Sequence, residues 1–153
     1  MRALKTTLGI IAALIVVMLL AGPLGPLPGL FIGGEEQTPP DVWVAAELPD
    51  TVQAKPASYG AVNLWIIEDN NNLYLFGEGD SWWVGALRHQ PAMKLRLSNA
   101  TYNLHARELD QPDPRLYDKY VARYAEDYPD IVSELPSPED AIAHGAVFEL
   151  TRR

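Results

Sequence analysis

The hydrophobic and polar positions divide the chain into an apolar N-terminal run, a Pro/Gly-rich segment and a region of alternating strand and helix patterns. The run from Thr6 to Gly22 has 17 residues and no charge. At about 1.5 Å per residue it gives roughly 25 Å of helix, the short end of what spans a bilayer. Arg2 and Lys5 precede it. We therefore predict a single-pass transmembrane anchor over residues 1–22, with a cytoplasmic N-terminus and a periplasmic or otherwise extracytoplasmic C-terminal domain.

The same run has a second interpretation as a cleavable secretory signal. Leu20-Ala21-Gly22 leads directly into Pro23 and does not form the small-residue pattern that flanks a cleavage site, which favours an uncleaved anchor. Both interpretations export the residues that follow.

Residues 23–58 are predicted to be a collar and linker. Prolines interrupt any regular helix between Gly22 and Gly34, so its apolar residues are expected to follow the membrane interface or to contact a partner. Glu35 to Pro40 is predicted to be a solvated hinge, Val42 to Val44 a short strand or docking segment, and Pro49 to Pro56 a linker.

Residues 59–153 switch between the two-residue period of half-buried strands and the 3.6-residue period of amphipathic helices. Asn70 to Asn72 tolerate positive φ and predict a hairpin turn. The predicted elements are, in chain order, strands Val62 to Ile67 and Leu73 to Phe76, a helix from Trp82 to His89 capped by Asp80 or Ser81, strands Met93 to Leu97 and Thr101 to Glu108, a helix opening at Asp113-Pro114, and a strand Ala146 to Thr151. This order predicts an α+β domain, most economically a small antiparallel barrel with two or three helices.

Charge and cysteine content narrow the function. The chain has 12 Lys and Arg against 20 Asp and Glu, for a net charge of −8. Such a surface repels nucleic acid, so no nucleic-acid partner is expected. The absence of cysteine excludes a disulfide framework, a thiolate metal site and a thiol nucleophile.

Two stretches carry a family resemblance. Leu73 to Phe76 and then Trp83 to Leu97, which contains Leu87-Arg88-His89-Gln90-Pro91, resemble the split β-barrel flavin-binding family of pyridoxamine-phosphate oxidases and deazaflavin-dependent nitroreductases. The resemblance covers about Val62 to Glu108. It implies a split β-barrel that binds FMN or a deazaflavin at its rim, often as a dimer, and transfers hydride to or from a small molecule.

The chain departs from that pattern at the cofactor phosphate. Trp83 stands where flavin-binding members commonly carry a lysine, and Ala86 stands where they carry an asparagine. The Arg- and Ser-rich phosphate loop of the deazaflavin enzymes is also missing before Gly77. Losing one charge-assisted contact costs about 1.5–3 kcal/mol, on the order of a hundredfold in affinity.

The remaining candidate cofactor ligands are three cations, a helix-capping serine and an indole. Arg88, Lys94 and Arg96 could hold phosphate, Ser81 opens a helix whose first amides could add to the site, and Trp83 could line the ring. The alternative is structural: Lys94 and Arg96 would be the solvated face of a strand, and Trp83 a core residue. No catalytic residue is assigned.

Other constellations are weaker. Gly79-Asp80-Ser81 resembles the nucleophile block of GDS-type esterases, and Asp140 and His144 would be the other members of a catalytic triad. Too little chain follows Ser81 for the α/β fold of those enzymes. The three histidines have no i, i+4 pair, so no metal site is predicted. Tyrosines recur at helical spacing and are interpreted as core packing with hydroxyls at the rim; the alternative is that the phenols donate to a bound quinone or flavin carbonyl. They are Tyr117, Tyr120, Tyr124 and Tyr128.

The residues leave two functions open. The first is a membrane-anchored, non-catalytic accessory or interaction module whose barrel has lost key phosphate ligands. The alternative is a membrane-tethered FMN- or deazaflavin-dependent oxidoreductase acting on a small molecule or quinone. A membrane-protein partner or a homodimer is expected in either case.

Overall fold

The N-terminal helix lies where the sequence predicts an anchor. The computed structural model describes residues 2–20, 22–23, 28–57 and 60–152. Its first helix, α1, spans Arg2–Leu20 and exposes its described large apolar side chains, among them Leu8 and Val17. Within the described ranges no helix combines the length and the apolarity needed to cross a membrane. The predicted transmembrane anchor is therefore not supported.

Eight strands in the described part of the chain form one sheet that curls into a nearly closed barrel. The order along the sheet is β3-β2-β6-β7-β8-β5-β4, and every pair on this path is antiparallel. The eight strands are β1 Glu35–Gln37, β2 Val52–Pro56, β3 Val62–Leu64, β4 Ile66–Asp69, β5 Asn72–Glu78, β6 Ala92–Leu97, β7 Ala100–Glu108 and β8 Gly145–Arg152. The expected α+β class and the antiparallel barrel are confirmed.

The barrel closes through a break at Trp65. The sequence predicts one strand from Val62 to Ile67, but it divides there into β3 and β4, which lie at opposite ends of the sheet order. The chain itself therefore joins the two ends of the sheet. After β4, Asn70 and Asn71 adopt φ values of 49° and 66° and turn the chain into β5, as the asparagine run predicts.

The helices after α1 are α2 Trp82–His89, α3 Pro114–Tyr124, α4 Pro129–Ser133 and α5 Pro138–His144. The α2 bounds match the prediction. Asp113 caps α3, because its carboxylate accepts a hydrogen bond from the backbone N–H of Arg115 at 3.0 Å. Ser137 and Pro138 open α5 in the same way. The structure thus has more helices than the two or three predicted.

The N-terminal collar packs on the barrel of its own chain. The carbonyl of Leu30 accepts a hydrogen bond from Lys55 Nζ at 2.6 Å, and that of Gly33 accepts one from Thr101 Oγ1 at 2.6 Å. The predicted hinge contains β1, which pairs in parallel with β7. Residues 24–27 of the collar lie outside the described residues. The described collar backbone therefore bonds to the barrel, while the side chains of Leu30 and Phe31 stay exposed.

Two further segments of the predicted linker belong to the domain. Pro49 to Pro56 contains β2, which pairs with β3 and β6 and buries Val52 and Ala54. Trp43 is buried against Tyr102, with ring centroids 5.2 Å apart, so Val42 to Val44 is a docking segment and not a strand. The barrel therefore begins before residue 59, because alternate side chains of β2 complete its core.

Two apolar clusters stabilise the domain. The larger fills the barrel and includes Leu75, Leu95 and Phe148. The smaller lies between the outer face of the sheet and α3, where Tyr74 meets Leu116. The alternation of strand side chains between the two faces explains why neighbouring residues of β5 belong to different clusters.

Candidate functional site

A cavity of about 600 Å³ opens at one end of the barrel. Its wall is made by the end of β5, the first turn of α2, one face of α3 and the side of α5. The volume falls within the range that small-molecule sites occupy. We take this cavity as the candidate site.

Aromatic rings form much of the wall. Tyr117 and Tyr120 lie three residues apart on α3 and therefore share one helical face. The ring of Phe76, at the end of β5, lies 4.6 Å from that of Tyr120 and 5.8 Å from that of Tyr117, measured between centroids. Trp83 from α2 completes this aromatic wall. The cavity can therefore accept a flat, apolar molecule.

The two tyrosine hydroxyls have different surroundings. The Tyr117 hydroxyl donates to the carbonyl of Pro136 at 2.9 Å and so fixes the segment between α4 and α5. The Tyr120 hydroxyl has no hydrogen-bond partner among the described residues. Burial raises the pKa of Tyr120 well above its ordinary value, and the neighbouring Tyr124 and Tyr117 raise it further. Tyr120, which lines the cavity, therefore keeps a neutral hydroxyl.

The charged groups on the cavity wall are acidic. Glu78, Asp80 and Asp140 line it together with His144, and none of the described lining residues is Lys or Arg. Asp140 accepts a hydrogen bond from Ser137 Oγ at 2.9 Å as part of the α5 cap. The cavity thus carries three carboxylates beside its aromatic wall.

Glycines allow the cavity wall to pack closely. A Cβ atom on Gly79 would lie 2.6 Å from the carbonyl oxygen of His144, which already accepts a 3.1 Å hydrogen bond from the Gly79 N–H. A Cβ on Gly77 would collide with the indole of Trp83. The end of β5 therefore approaches α5 and α2 as closely as backbone allows.

Two of the predicted cofactor ligands lie at this cavity or beside it. Trp83 lines it, but the side chain is only 5% exposed and packs on Phe148 with ring centroids 5.9 Å apart. Ser81 is the N-cap residue of α2, as predicted, although its side chain makes no capping hydrogen bond. Trp83 is therefore a core residue that also forms part of the wall.

Arg88 is already paired. Its guanidinium makes a two-pronged contact with Glu108, with Nε to Oε2 at 2.8 Å and Nη2 to Oε1 at 2.6 Å. Its Nη1 donates to the carbonyl of Gly79 at 2.7 Å, so Arg88 stands behind the cavity wall. The hydrogen bond to Glu108 raises the pKa of Arg88, which is half-exposed.

The other two predicted cations lie on β6 and do not join Arg88. Lys94 Nζ contacts Glu36 Oε2 of β1 at 2.8 Å. Arg96 donates to the carbonyl of Ser98 at 2.9 Å and to Gln53 Oε1 at 3.2 Å. Neither lines the 600 Å³ cavity. The structure therefore does not bring the three cations together.

A second cavity, of about 480 Å³, lies beside the hairpin turn and α3. Its cations are also paired, Arg115 with Asp113 and Lys119 with Asp69 at 2.9 Å. Its wall is mostly polar, so it offers a small molecule less apolar contact than the cavity beside Trp83 does.

Sequence reasoning missed Glu78 and Asp80 as lining residues. For the tyrosines of α3 it favoured core packing over ligand contact: Tyr117 and Tyr124 are buried as expected, while Tyr117 and Tyr120 also line the cavity. Their helical spacing is visible in the sequence, but the side of the helix that faces a cavity is set by α5, which the sequence pattern does not predict. For Glu78 we find no signal in the sequence that could have placed it here.

Comparison with known proteins supports the fold. No family model matches the sequence, and no curated protein matches it. Among solved structures, the chain is similar to a NimC/NimA family protein from Clostridium acetobutylicum, with 12% identity, 70% of this chain and 74% of that chain covered, and a TM-score of 0.51. It is also similar to a FAD-binding protein from Mesorhizobium loti, with 11% identity, coverage of 71% and 85%, and a TM-score of 0.50.

These similarities support the small split β-barrel fold that the sequence resemblance implies. At such low identity they show the fold alone. The donor set of the cavity does not fit the phosphate of a flavin nucleotide, because the charged groups there are carboxylates and the predicted cations are paired elsewhere.

Proposed function

We propose that the protein is a non-catalytic binding module, an accessory or interaction domain on a flavin-type split barrel that has lost the phosphate site. The observation that carries the proposal is the pairing of the cations. Arg88, Lys94 and Arg96 each bond to groups of their own chain, at separate places on the barrel.

The energetic cost of recruiting Arg88 supports this proposal. A charge-assisted hydrogen bond to phosphate contributes about 1.5–3 kcal/mol, roughly ten- to a hundredfold in affinity. To make it, Arg88 would first have to leave a two-pronged contact with Glu108 of comparable kind. Solvent weakens this partly exposed pair, so leaving it offsets only part of the gain, but a phosphate in the cavity would also lie near carboxylates.

The test is a titration of FMN and of a deazaflavin cofactor against the full chain, followed by cofactor fluorescence. We expect no saturable binding below about 100 μM, a ΔG° near −5.5 kcal/mol. The matched variants are Arg88→Ala and Lys94→Ala. Saturable micromolar binding that either variant weakens would contradict the proposal.

That result would instead favour the second function, an FMN- or deazaflavin-dependent oxidoreductase acting on a small molecule or quinone. The observation in its favour is the open cavity with its aromatic wall of Phe76, Trp83, Tyr117 and Tyr120. A flavin ring could stack there even though its phosphate finds no cation.

Location and partner stay predictions. The extracytoplasmic placement and the membrane-protein or homodimeric partner rest on the N-terminal segment. The exposed apolar side chains of α1 agree with a membrane or protein contact. Cosedimentation of the full chain with lipid vesicles would check the membrane contact, and a chain that stays in the supernatant would argue against it.

A further inference from the structure

We propose that the cavity beside Trp83 binds a small organic cation with a flat apolar body, such as a quaternary aromatic amine. The inference rests on the proposed function, since it takes the cavity as the binding site of a non-catalytic module. It adds the chemical class of the ligand.

The aromatic lining of the cavity favours a ligand with a flat apolar body. Aromatic side chains from three elements line one space of about 600 Å³: Phe76 from β5, Trp83 from α2, and Tyr117 and Tyr120 from α3. Small ligands gain most of their affinity from such apolar walls. The faces of aromatic rings also attract cations, most strongly when the cation is a weakly hydrated organic one.

The carboxylates of the cavity favour a positively charged ligand. Glu78 and Asp80 line it and have no ion-pair partner among the described residues. Asp140 adds a third carboxylate, held in place by Ser137. Arg88 lies behind Gly79, where Glu108 balances its charge. An organic cation would therefore meet uncompensated negative charge.

One polar group can orient the ligand. Tyr120 lines the cavity and its hydroxyl has no hydrogen-bond partner among the described residues, whereas the hydroxyl of Tyr117 donates to the carbonyl of Pro136. A ligand that carries a hydroxyl, carbonyl or amine group could satisfy it.

The arrangement does not suit a metal ion. In the described part of the chain, no group of three or more His, Cys, Asp or Glu side chains lies close enough to hold one. The cavity carboxylates therefore do not form such a group, and a metal ion is not the ligand that we propose.

The experiment compares three two-ring probes that differ in charge: N-methylquinolinium, neutral quinoline and anionic 1-naphthoate. Each is titrated against the full chain at pH 8 and low salt by calorimetry, with FMN titrated in parallel. We expect N-methylquinolinium to bind about tenfold more tightly than quinoline, and naphthoate to bind most weakly. Raising the salt to about 0.5 M should reduce the preference.

Matched double variants locate the site. Glu78→Gln with Asp80→Asn removes two cavity charges while keeping side-chain shape, and should weaken N-methylquinolinium binding about fivefold with little effect on quinoline. Glu126→Gln with Asp127→Asn removes two exposed charges outside the cavity and should leave both affinities unchanged. Tyr120→Leu, which removes an aromatic face, should weaken both probes.

Equal binding of cation and neutral probe, no binding of any probe, or equal effects of the two double variants would each overturn the inference. If N-methylquinolinium shows no preferential binding and FMN does not bind either, the inference fails but the proposed function stands. Saturable FMN binding that Arg88→Ala weakens would contradict the proposed function whatever the cation does.

Discussion

The hydroxyl of Tyr124 closes the barrel at its break. It accepts a hydrogen bond from the backbone N–H of Ile66 at 2.9 Å, and it lies 2.9 Å from the carbonyl of Ile66 and 3.0 Å from that of Asp50. Its single proton can go to one of the two carbonyls at a time. The indole of Trp65 stacks on the same ring, with centroids 4.2 Å apart. Tyr124→Phe therefore removes two hydrogen bonds at the joint between β3 and β4 and keeps the ring.

The cost follows from burial. Ile66 is fully buried, so its N–H cannot turn to water once the hydroxyl is gone. An unsatisfied buried donor costs about 1–3 kcal/mol, and the donated bond adds up to about 1 kcal/mol. We expect Tyr124→Phe to lower the free energy of unfolding by about 2–3 kcal/mol. With a urea dependence of about 1.5–2 kcal/mol per molar, the unfolding midpoint should fall by more than about 1 M.

Urea unfolding followed by tryptophan fluorescence measures this change. Tyr128→Phe is the matched control, since its ring lies 5.2 Å from Trp65 but its hydroxyl has no hydrogen-bond partner in the described part of the chain. We expect the control to change stability by less than about 0.5 kcal/mol. Equal midpoints for the two variants would refute the idea that the Tyr124 hydroxyl stabilises the break.

Two other predictions concern close packing and charge. Gly79→Ala should lower the free energy of unfolding by about 1–3 kcal/mol, because the new methyl group would collide with the His144 carbonyl. Gly85→Ala on α2, where a Cβ meets nothing within 4 Å, should raise it by about 0.5–1 kcal/mol. Urea unfolding midpoints measure both changes, and shifts of the two variants in the same direction would contradict the packing argument. The hydrogen bond from Lys94 lowers the pKa of Glu36 below its ordinary 4.5, so the stabilisation is present above pH 4.5 and is lost as pH falls through the lowered folded value. Glu36→Gln should flatten the melting temperature between pH 5 and pH 3, and an unchanged slope would argue against the contact.

Elements with strong local signals could be predicted from sequence. Asn70-Asn71 and Asp113-Pro114 set the local backbone by themselves, so the hairpin and the start of α3 lie where expected. β1, Glu35–Gln37, has no apolar residue and depends on pairing with β7, which no hydrophobic pattern indicates. β2 alternates correctly, but it ends at Pro56, and a proline there is as typical of a linker as of a strand end.

The candidate site is less predictable because its parts come from separate elements. The family resemblance implies a phosphate near Arg88, Lys94 and Arg96 and so predicts that these side chains converge. In the structure, the position of a basic side chain depends instead on an acidic partner that is distant in sequence. Arg88 meets Glu108, 20 residues on, and Lys94 meets Glu36, 58 residues back. No local pattern contains such pairings. The sequence can indicate basic side chains that could bind phosphate, but it cannot show that carboxylates of the same chain already pair with them.

Position 83 shows why a single substitution would not place a phosphate-binding lysine in the cavity wall. The family resemblance implies a lysine at position 83, but the chain has Trp83, whose side chain is 5% exposed and packs on Phe148. Gly77 leaves the space that the indole occupies, and any Cβ there would collide with it. A lysine at position 83 would leave a void beside Gly77 and place an ammonium among apolar groups, which is costly without a buried partner. The tryptophan and the glycine therefore act as a coupled pair that makes the cavity wall apolar. With Glu78 and Asp80 beside it, that wall suits a ligand of the opposite charge to a flavin phosphate.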